Sequence, residues 1–234
     1  FKTRNLRFPP AFTQMYNLSV QYEFAPAWLL EVGFLGNRSS RLPLVNPIND
    51  ARPALPNDTS SPQSRRRVST LLGDLSHLTP EGFSNYNALT LNLEKRFTQG
   101  LSILANYTWS RALGVAPAIL PGVNDAGIQN PLDLAREYGP LEFDVINRVN
   151  ISSLYDVPFG KGKRYGNGLS GPLNHILGGW QINSIVTFQG GFPITPNLGF
   201  SLGKTFTNSR PNVVGDPKKT TRQPHDWFSP AAFT

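Results

Sequence analysis

A chain of 234 residues with no cysteine excludes a disulfide framework and a thiolate metal site. Its hydrophobic share of 39%, with 21 Gly and 21 Pro, suits many strands joined by turns and not a helical bundle. The net charge is +7, spread as Lys and Arg among Gly and Pro. It reads as solvated loop charge, with lipopolysaccharide or another phosphate as the alternative contact and no nucleic-acid partner. No run of about 18 apolar residues exists, so no transmembrane helix is encoded. The opening Phe1-Lys2-Thr3-Arg4 is neither an initiator Met nor a signal peptide, so the chain reads as an internal piece of a longer one.

Period-two alternation marks the elements, because a strand turns successive side chains to opposite faces. Residues 15–24 place Tyr16, Leu18, Val20, Tyr22 and Phe24 opposite Asn17, Ser19, Gln21 and Glu23. After Ala25-Pro26-Ala27, residues 28–35 place Trp28, Leu30, Val32 and Phe34 opposite Glu31. About fifty residues then pass. Within them, residues 67–78 are assigned to an extracellular β extension leading through Gly82-Phe83-Ser84-Asn85-Tyr86 into the next strand. Residues 88–97 set Leu89, Leu91 and Leu93 against Thr90, Asn92, Glu94 and Arg96. A tight turn at Thr98-Gln99-Gly100 follows. Residues 101–110 then set Leu101, Ile103, Ala105, Tyr107 and Trp109 against Ser102, Asn106, Thr108 and Ser110. A loop rich in Gly and Pro runs from Arg111 to about Val145. Residues 148–157 set Val149, Ile151, Tyr155 and Val157 against Arg148, Asn150, Ser152 and Asp156, with Ser153 interrupting the apolar face. A medium connection spans 158–179. Residues 180–189 set Trp180, Ile182, Val186 and Phe188 against Gln181, Asn183, Thr187 and Gln189, with Ser184 the exception. Another long excursion begins near Gly190.

The six apolar stripes hold no charge except Lys95, near the end of its strand. An Arg or Lys facing lipid at the bilayer midplane costs roughly 2–4 kcal/mol, whereas a barrel lumen is wet. Each segment has about the 9–11 residues that a tilted strand needs to cross a bilayer. Short and long connections alternate, as on the two rims of a barrel. Tyr22, Phe24, Trp28, Phe97, Phe159 and Trp180 fall at one rim, and Tyr107 and Trp109 at the other, where aromatic rings favour the interface. The expected fold is therefore all-β: a transmembrane antiparallel β-barrel segment of about six spanning strands, with long extracellular loops and short periplasmic turns. A soluble secreted β-sandwich that binds carbohydrate or mediates adhesion also alternates. Such long irregular loops do not suit it.

Residues 82–111 resemble the barrel of Oar-like TonB-dependent receptors. The residues carrying the likeness are Gly82-Phe83-Ser84-Asn85-Tyr86-Asn87-Ala88-Leu89, Leu93-Glu94-Lys95-Arg96-Phe97, Gly100-Leu101 and Tyr107-Thr108-Trp109-Ser110-Arg111. Glu142-Phe143-Asp144 with Asn147-Arg148, residues 154–164, Leu177-Gly178-Gly179-Trp180-Gln181, Gly190-Gly191-Phe192-Pro193, Arg210-Pro211-Asn212 and residues 227–233 agree in order. The resemblance implies a bacterial outer-membrane transporter with a barrel of about 22 strands and a plugged lumen, energised through TonB. No plug, TonB box, N-terminal carboxypeptidase-regulatory-like domain or closing aromatic strand is visible in the sequence. Residues 1–234 are thus expected to be a partial barrel domain. Its partners would be outer-membrane lipid and lipopolysaccharide, the TonB system through regions outside this chain, and an unidentified ligand.

Sharper motifs weigh little. Gly166-Asn167-Gly168-Leu169-Ser170-Gly171 fits a dinucleotide fingerprint, but Pro172 follows and only residues 173–177 can form a helical turn, so it reads as a turn. His77, His175 and His225 have no paired ligand spacing and read as loop histidines. Arg65-Arg66-Arg67 reads as a solvated loop run, with lipopolysaccharide phosphate as the alternative. Asp144, Arg148 and Asp156 are candidate lumenal ligand contacts, with pairing between neighbouring strands as the stronger reading. Asn57-Asp58-Thr59 fits a glycosylation acceptor, which means little in a bacterium. No nucleophile set is present, so no catalytic, cofactor or metal residue is assigned and no enzyme is expected. A passive porin-like channel is the rival transport reading. The substrate is not legible.

Overall fold

The computed structural model describes residues 2–52, 57–115, 128–130, 132–169, 171–198, 210–223 and 226–234. Among these, ten strands form: β1 (Lys2–Arg4), β2 (Phe12–Ala25), β3 (Trp28–Pro47), β4 (Ser76–Thr98), β5 (Leu101–Val115), β6 (Gly139–Pro140), β7 (Asn147–Asp156), β8 (Gln181–Gln189), β9 (Lys218–Gln223) and β10 (Asp226–Phe228). A single short α-helix, α1 (Pro172–Leu177), interrupts them. Six strands make one antiparallel meander in the order β2-β3-β4-β5-β7-β8. The short β6 pairs with β5, and β1 adds to β4 in parallel. The sheet is open, with β2 and β8 at its edges, and β9 and β10 form a separate pair.

All six alternating segments are strands, but β3 and β4 run far past the alternating stretches. Their ladder continues through Leu44↔Thr79 to Pro47↔Ser76, with register shifts on both sides of Leu42. The sequence there, Asn37-Arg38-Ser39-Ser40-Arg41, has no apolar face to bury, so no period-two signal announces it. Much of the expected fifty-residue loop is therefore strand. Within residues 67–78, only those from Ser76 onward are strand, and they extend β4 instead of making a separate crossing. At the opposite rim the turns are tight. Gln99 and Gly100 both have positive φ, 52° and 78°, as two-residue hairpin turns of the I′ type require.

The register converts six stripes into continuous rows. One apolar row runs Val20–Val32–Leu91–Tyr107–Val149–Phe188 across all six strands. The next row toward the tight turns is Tyr22–Leu30–Leu93–Ala105–Ile151–Val186. From Leu101 to Trp109 the apolar face extends about 26 Å along β5. Among the described residues no second layer packs on it: Leu18, Val20 and Phe188 are 70%, 63% and 63% exposed. The cluster of buried apolar residues, Leu44, Val115 and Ile128 with Phe83 and Leu134 against it, sits at the long-loop end. A sandwich would cover this face with a second sheet. A bare apolar face of this breadth instead calls for lipid.

The exceptions to the apolar stripes are resolved by pairing. Ser153 and Ser184 are direct partners in the β7–β8 ladder, and their hydroxyls lie 2.8 Å apart. Each satisfies the other on a face without water. Lys95 lies in the row Trp28–Lys95–Ile103 and turns its ammonium to the rim. There it donates to the carbonyls of Thr98 and Leu101 at 3.0 and 2.9 Å. The ammonium also lies over the Trp28 ring, 5.9 Å from its centroid, so the charge reaches the rim out of the apolar band. At the other rim the Tyr16 ring crosses Gly36, where a Cβ would come within 2.1 Å of it. The Tyr16 hydroxyl donates to Asn87 at 3.0 Å, and that of Tyr107 to Asn147 at 2.7 Å.

The serine pair gives a test. In the protein folded into lipid vesicles, Ser153→Val and Ser184→Val should couple by about 1 kcal/mol in a double-mutant cycle read by urea unfolding, the double variant being the more stable than the sum of the singles. Additive effects would mean that the two hydroxyls do not bond.

Candidate functional site

The polar face carries its own row at mid-height. Gln21–Glu31–Asn92–Asn106–Asn150–Thr187 are successive ladder partners, so six polar side chains form one belt. They bond in pairs across the strands. Gln21 donates to Glu31 at 2.6 Å, Asn106 to Asn92 at 2.7 Å, and Thr187 to Asn150 at 2.9 Å. Each residue is legible as polar in the sequence, but only the register lines them up. The neighbouring row toward the tight turns is Glu23–Leu29–Glu94–Leu104–Ser152–Ile185. This face is thus not uniformly polar. Leu104 is 44% exposed and Ile185 82%.

At the long-loop end, residues 48–52 and 57–75 gather around Asn49, which is 0% exposed. Its amide donates to the carbonyls of Ser69, Leu72 and Gly73, and its oxygen accepts from the backbone N–H groups of Val68 and Ser69. Arg66 bonds to the Asn49 carbonyl at 3.0 Å and to Asp74 at 2.9 Å. Arg65 donates to the Arg52 carbonyl at 2.6 Å. The side chains of Arg65 and Arg66 are only 12% and 6% exposed. The solvated-run reading of Arg65-Arg66-Arg67 is corrected: two of these cations stitch the loop together, because buried carbonyls need donors. Beside them lies a cavity of about 330 Å³ walled by Asn46, Arg67, His77, Thr79 and Glu81. Asn46 donates to Thr79 and Glu81 at 3.0 and 2.9 Å. Two buried polar atoms of its wall residues, Asn46 Oδ1 and Arg67 Nη1, have no hydrogen-bond partner.

A family model described as an outer membrane beta barrel domain matches residues 2–234. The chain belongs to this family. No curated protein and no solved structure matches it. In an outer membrane barrel the bare apolar face meets lipid and the belt faces the lumen. The tight turns then mark the periplasmic rim, and the Asn49 loop is extracellular.

In this outer membrane barrel the three candidate lumenal residues have separate fates. Asp144 is structural. It is 2% exposed, and its Oδ1 accepts from the Ala112 N–H at 2.7 Å while its Oδ2 accepts from Arg111 at 2.9 Å. With Leu141 N–H donating to the Ala112 carbonyl, it closes the extracellular end of β5. Asp156 sits at the periplasmic rim, accepting from Gln181 at 2.7 Å and pairing with Lys163 at 3.5 Å. Arg148 is exposed on the lumenal face, one same-face row above the belt, opposite Thr108 and Gln189. The structure does not bring the three together.

The two described histidines are apart as well. His77 joins β4 to the N-terminal strand through Thr3 and Asn5, both at 2.7 Å. His175 lies on α1, and His225 is outside the described residues. The glycines of residues 166–171 make a turn: Gly166 and Gly171 have φ of 72° and 62°, and only the six-residue α1 follows. Sequence reasoning missed Asn49, Asn46 and Glu137. Glu137 accepts from the backbone of Gln129 and Asn130 and pairs with Arg210. No local pattern distinguishes these residues from other loop polars.

Asp144→Ala should cost about 2–3 kcal/mol in urea unfolding, since it strands the buried Ala112 N–H. Arg148→Gln should stay within about 0.5 kcal/mol. Equal effects would contradict the division into clasp and lumenal charge. Asn49→Ala should raise trypsin cleavage at Arg65–Arg67 about tenfold or more in intact cells, because local opening exposes the run.

Proposed function

We propose that the chain is a wall section of a TonB-dependent outer-membrane transporter for an unidentified substrate. The observation that supports a plugged receptor over a passive channel is the pair of exposed apolar side chains in the mixed row beside the belt on the lumenal face. Leu104 and Ile185, exposed at 44% and 82%, would face water in an open pore. Against a protein plug they find apolar partners. On this reading the plug and the contact with TonB come from polypeptide other than residues 1–234. The belt Gln21–Glu31–Asn92–Asn106–Asn150–Thr187 lines the path of a polar ligand, which the cavity beside Arg67 and Asn46 receives on the outside. The barrel's lipid partners are outer-membrane lipid and lipopolysaccharide. The protein transports and does not catalyse.

Conductance in planar bilayers separates the two transport readings. The full-length protein should hold no steady conductance in potassium chloride until urea unfolds the plug. Large, steady conductance of the untreated protein would overturn the TonB-dependent reading and leave the passive channel.

A further inference from the structure

The periplasmic connection between β7 and β8, residues 157–180, carries more than a turn needs. Side-chain hydrogen bonds tie its described residues together. The Asn174 side chain accepts from the Lys161 N–H at 2.7 Å, and the Asn167 side chain from the Gly162 N–H at 2.9 Å. The Trp180 indole donates to the Ile176 carbonyl at 2.8 Å. Yet its apolar side chains do not pack inward. Leu173, Ile176 and Leu177, spaced to share one face of α1, are exposed, as are Tyr165 and Trp180. The connection contains Lys161, Lys163 and Arg164 and no Asp or Glu. Lys163 pairs with Asp156 at the end of β7, and Arg164 lies over the Tyr165 ring at 5.5 Å. Lys161 and Arg164 remain exposed.

An ordered segment with an apolar face, a basic rim and no acidic residue has the make-up of an interfacial membrane anchor. Its position agrees. Trp180 continues the parity of Ile182, which lies in the lipid-facing row with Tyr155 and Leu101. We infer that residues 157–180 lie in the periplasmic leaflet, with Leu173, Ile176 and Leu177 inserted among the acyl chains and Lys161 and Arg164 on the headgroups of anionic phospholipids. The apolar patch is then continuous with the lipid-facing wall, and its exposure needs no protein partner. Such an anchor fixes the height of the rim in the membrane.

Residues 1–234 contain no cysteine, so once any cysteine elsewhere in the full-length protein is replaced by serine a single labelling site can be introduced. The full-length protein carrying Ile176→Cys or Ile182→Cys is labelled with an environment-sensitive fluorophore. It is then folded into vesicles of phosphatidylcholine and phosphatidylglycerol, with iodide on both sides. The label at 176 should resemble the label at 182: blue-shifted, shielded from iodide and quenched by lipid-borne nitroxide. A label at 176 that iodide quenches as strongly as the free dye adduct overturns the docking. A water-exposed label at 182 overturns instead the lipid-facing assignment of the sheet, on which this inference rests. Nitroxide on phosphatidylglycerol should quench position 176 at least about twofold more than nitroxide on phosphatidylcholine, a preference lost in the Lys161→Gln, Arg164→Gln double variant. Equal quenching with the native charges overturns the role of the anionic headgroup.

Discussion

Inside a bilayer a strand's backbone has no water to bond to, so each N–H and C=O must find a neighbouring strand. The β2-to-β8 ladder meets that demand through the apolar band with two shifts, between Glu23 and Ala25 and between Lys95 and Thr98, each just before a tight turn. An in-register ladder leaves the side chains no choice of side. A slip of one residue would send Val32, Leu91 and Tyr107 into the lumen and Glu31, Asn92 and Asn106 into lipid. The lipid-facing rows and the belt are therefore two consequences of the same hydrogen bonds.

The same ladder deals with the residues that break the pattern. Ser153 and Ser184 are tolerable on the apolar face because they are opposite each other. Lys95 is tolerable because its row is near enough to the rim for the ammonium to reach the turn carbonyls. A polar residue in lipid costs little when its partner is a direct cross-strand neighbour or when its stem reaches the interface.

Past the apolar band the forces change. At the extracellular end, water is present and single polar side chains organise long loops: Asn49 for residues 68–73, Asp144 for the return to β7, Glu137 for the segment that meets Arg210. Charges that look free on paper, such as Arg65 and Arg66, are used as donors to loop carbonyls. At the periplasmic end the turns are too short for such hubs, and the one longer connection turns its apolar residues outward.

The sequence by itself determined the six crossings, the face of each that meets lipid, and the rims, because a period of two and a ban on charge act within about ten residues of chain. It also determined that residues 166–171 are a turn, since Pro172 and Gly178-Gly179 leave no room for a longer helix. Only the tertiary structure decided the rest. The lengths of β3 and β4 beyond Gly36, the alignment of the belt, the pairing of Ser153 with Ser184 and the hub at Asn49 all join residues distant in sequence. Glu31 and Asn92 become neighbours through register, and Asn49 meets Ser69 through loop closure. Register and closure are properties of paired backbones, so neither leaves a mark on a single strand's pattern.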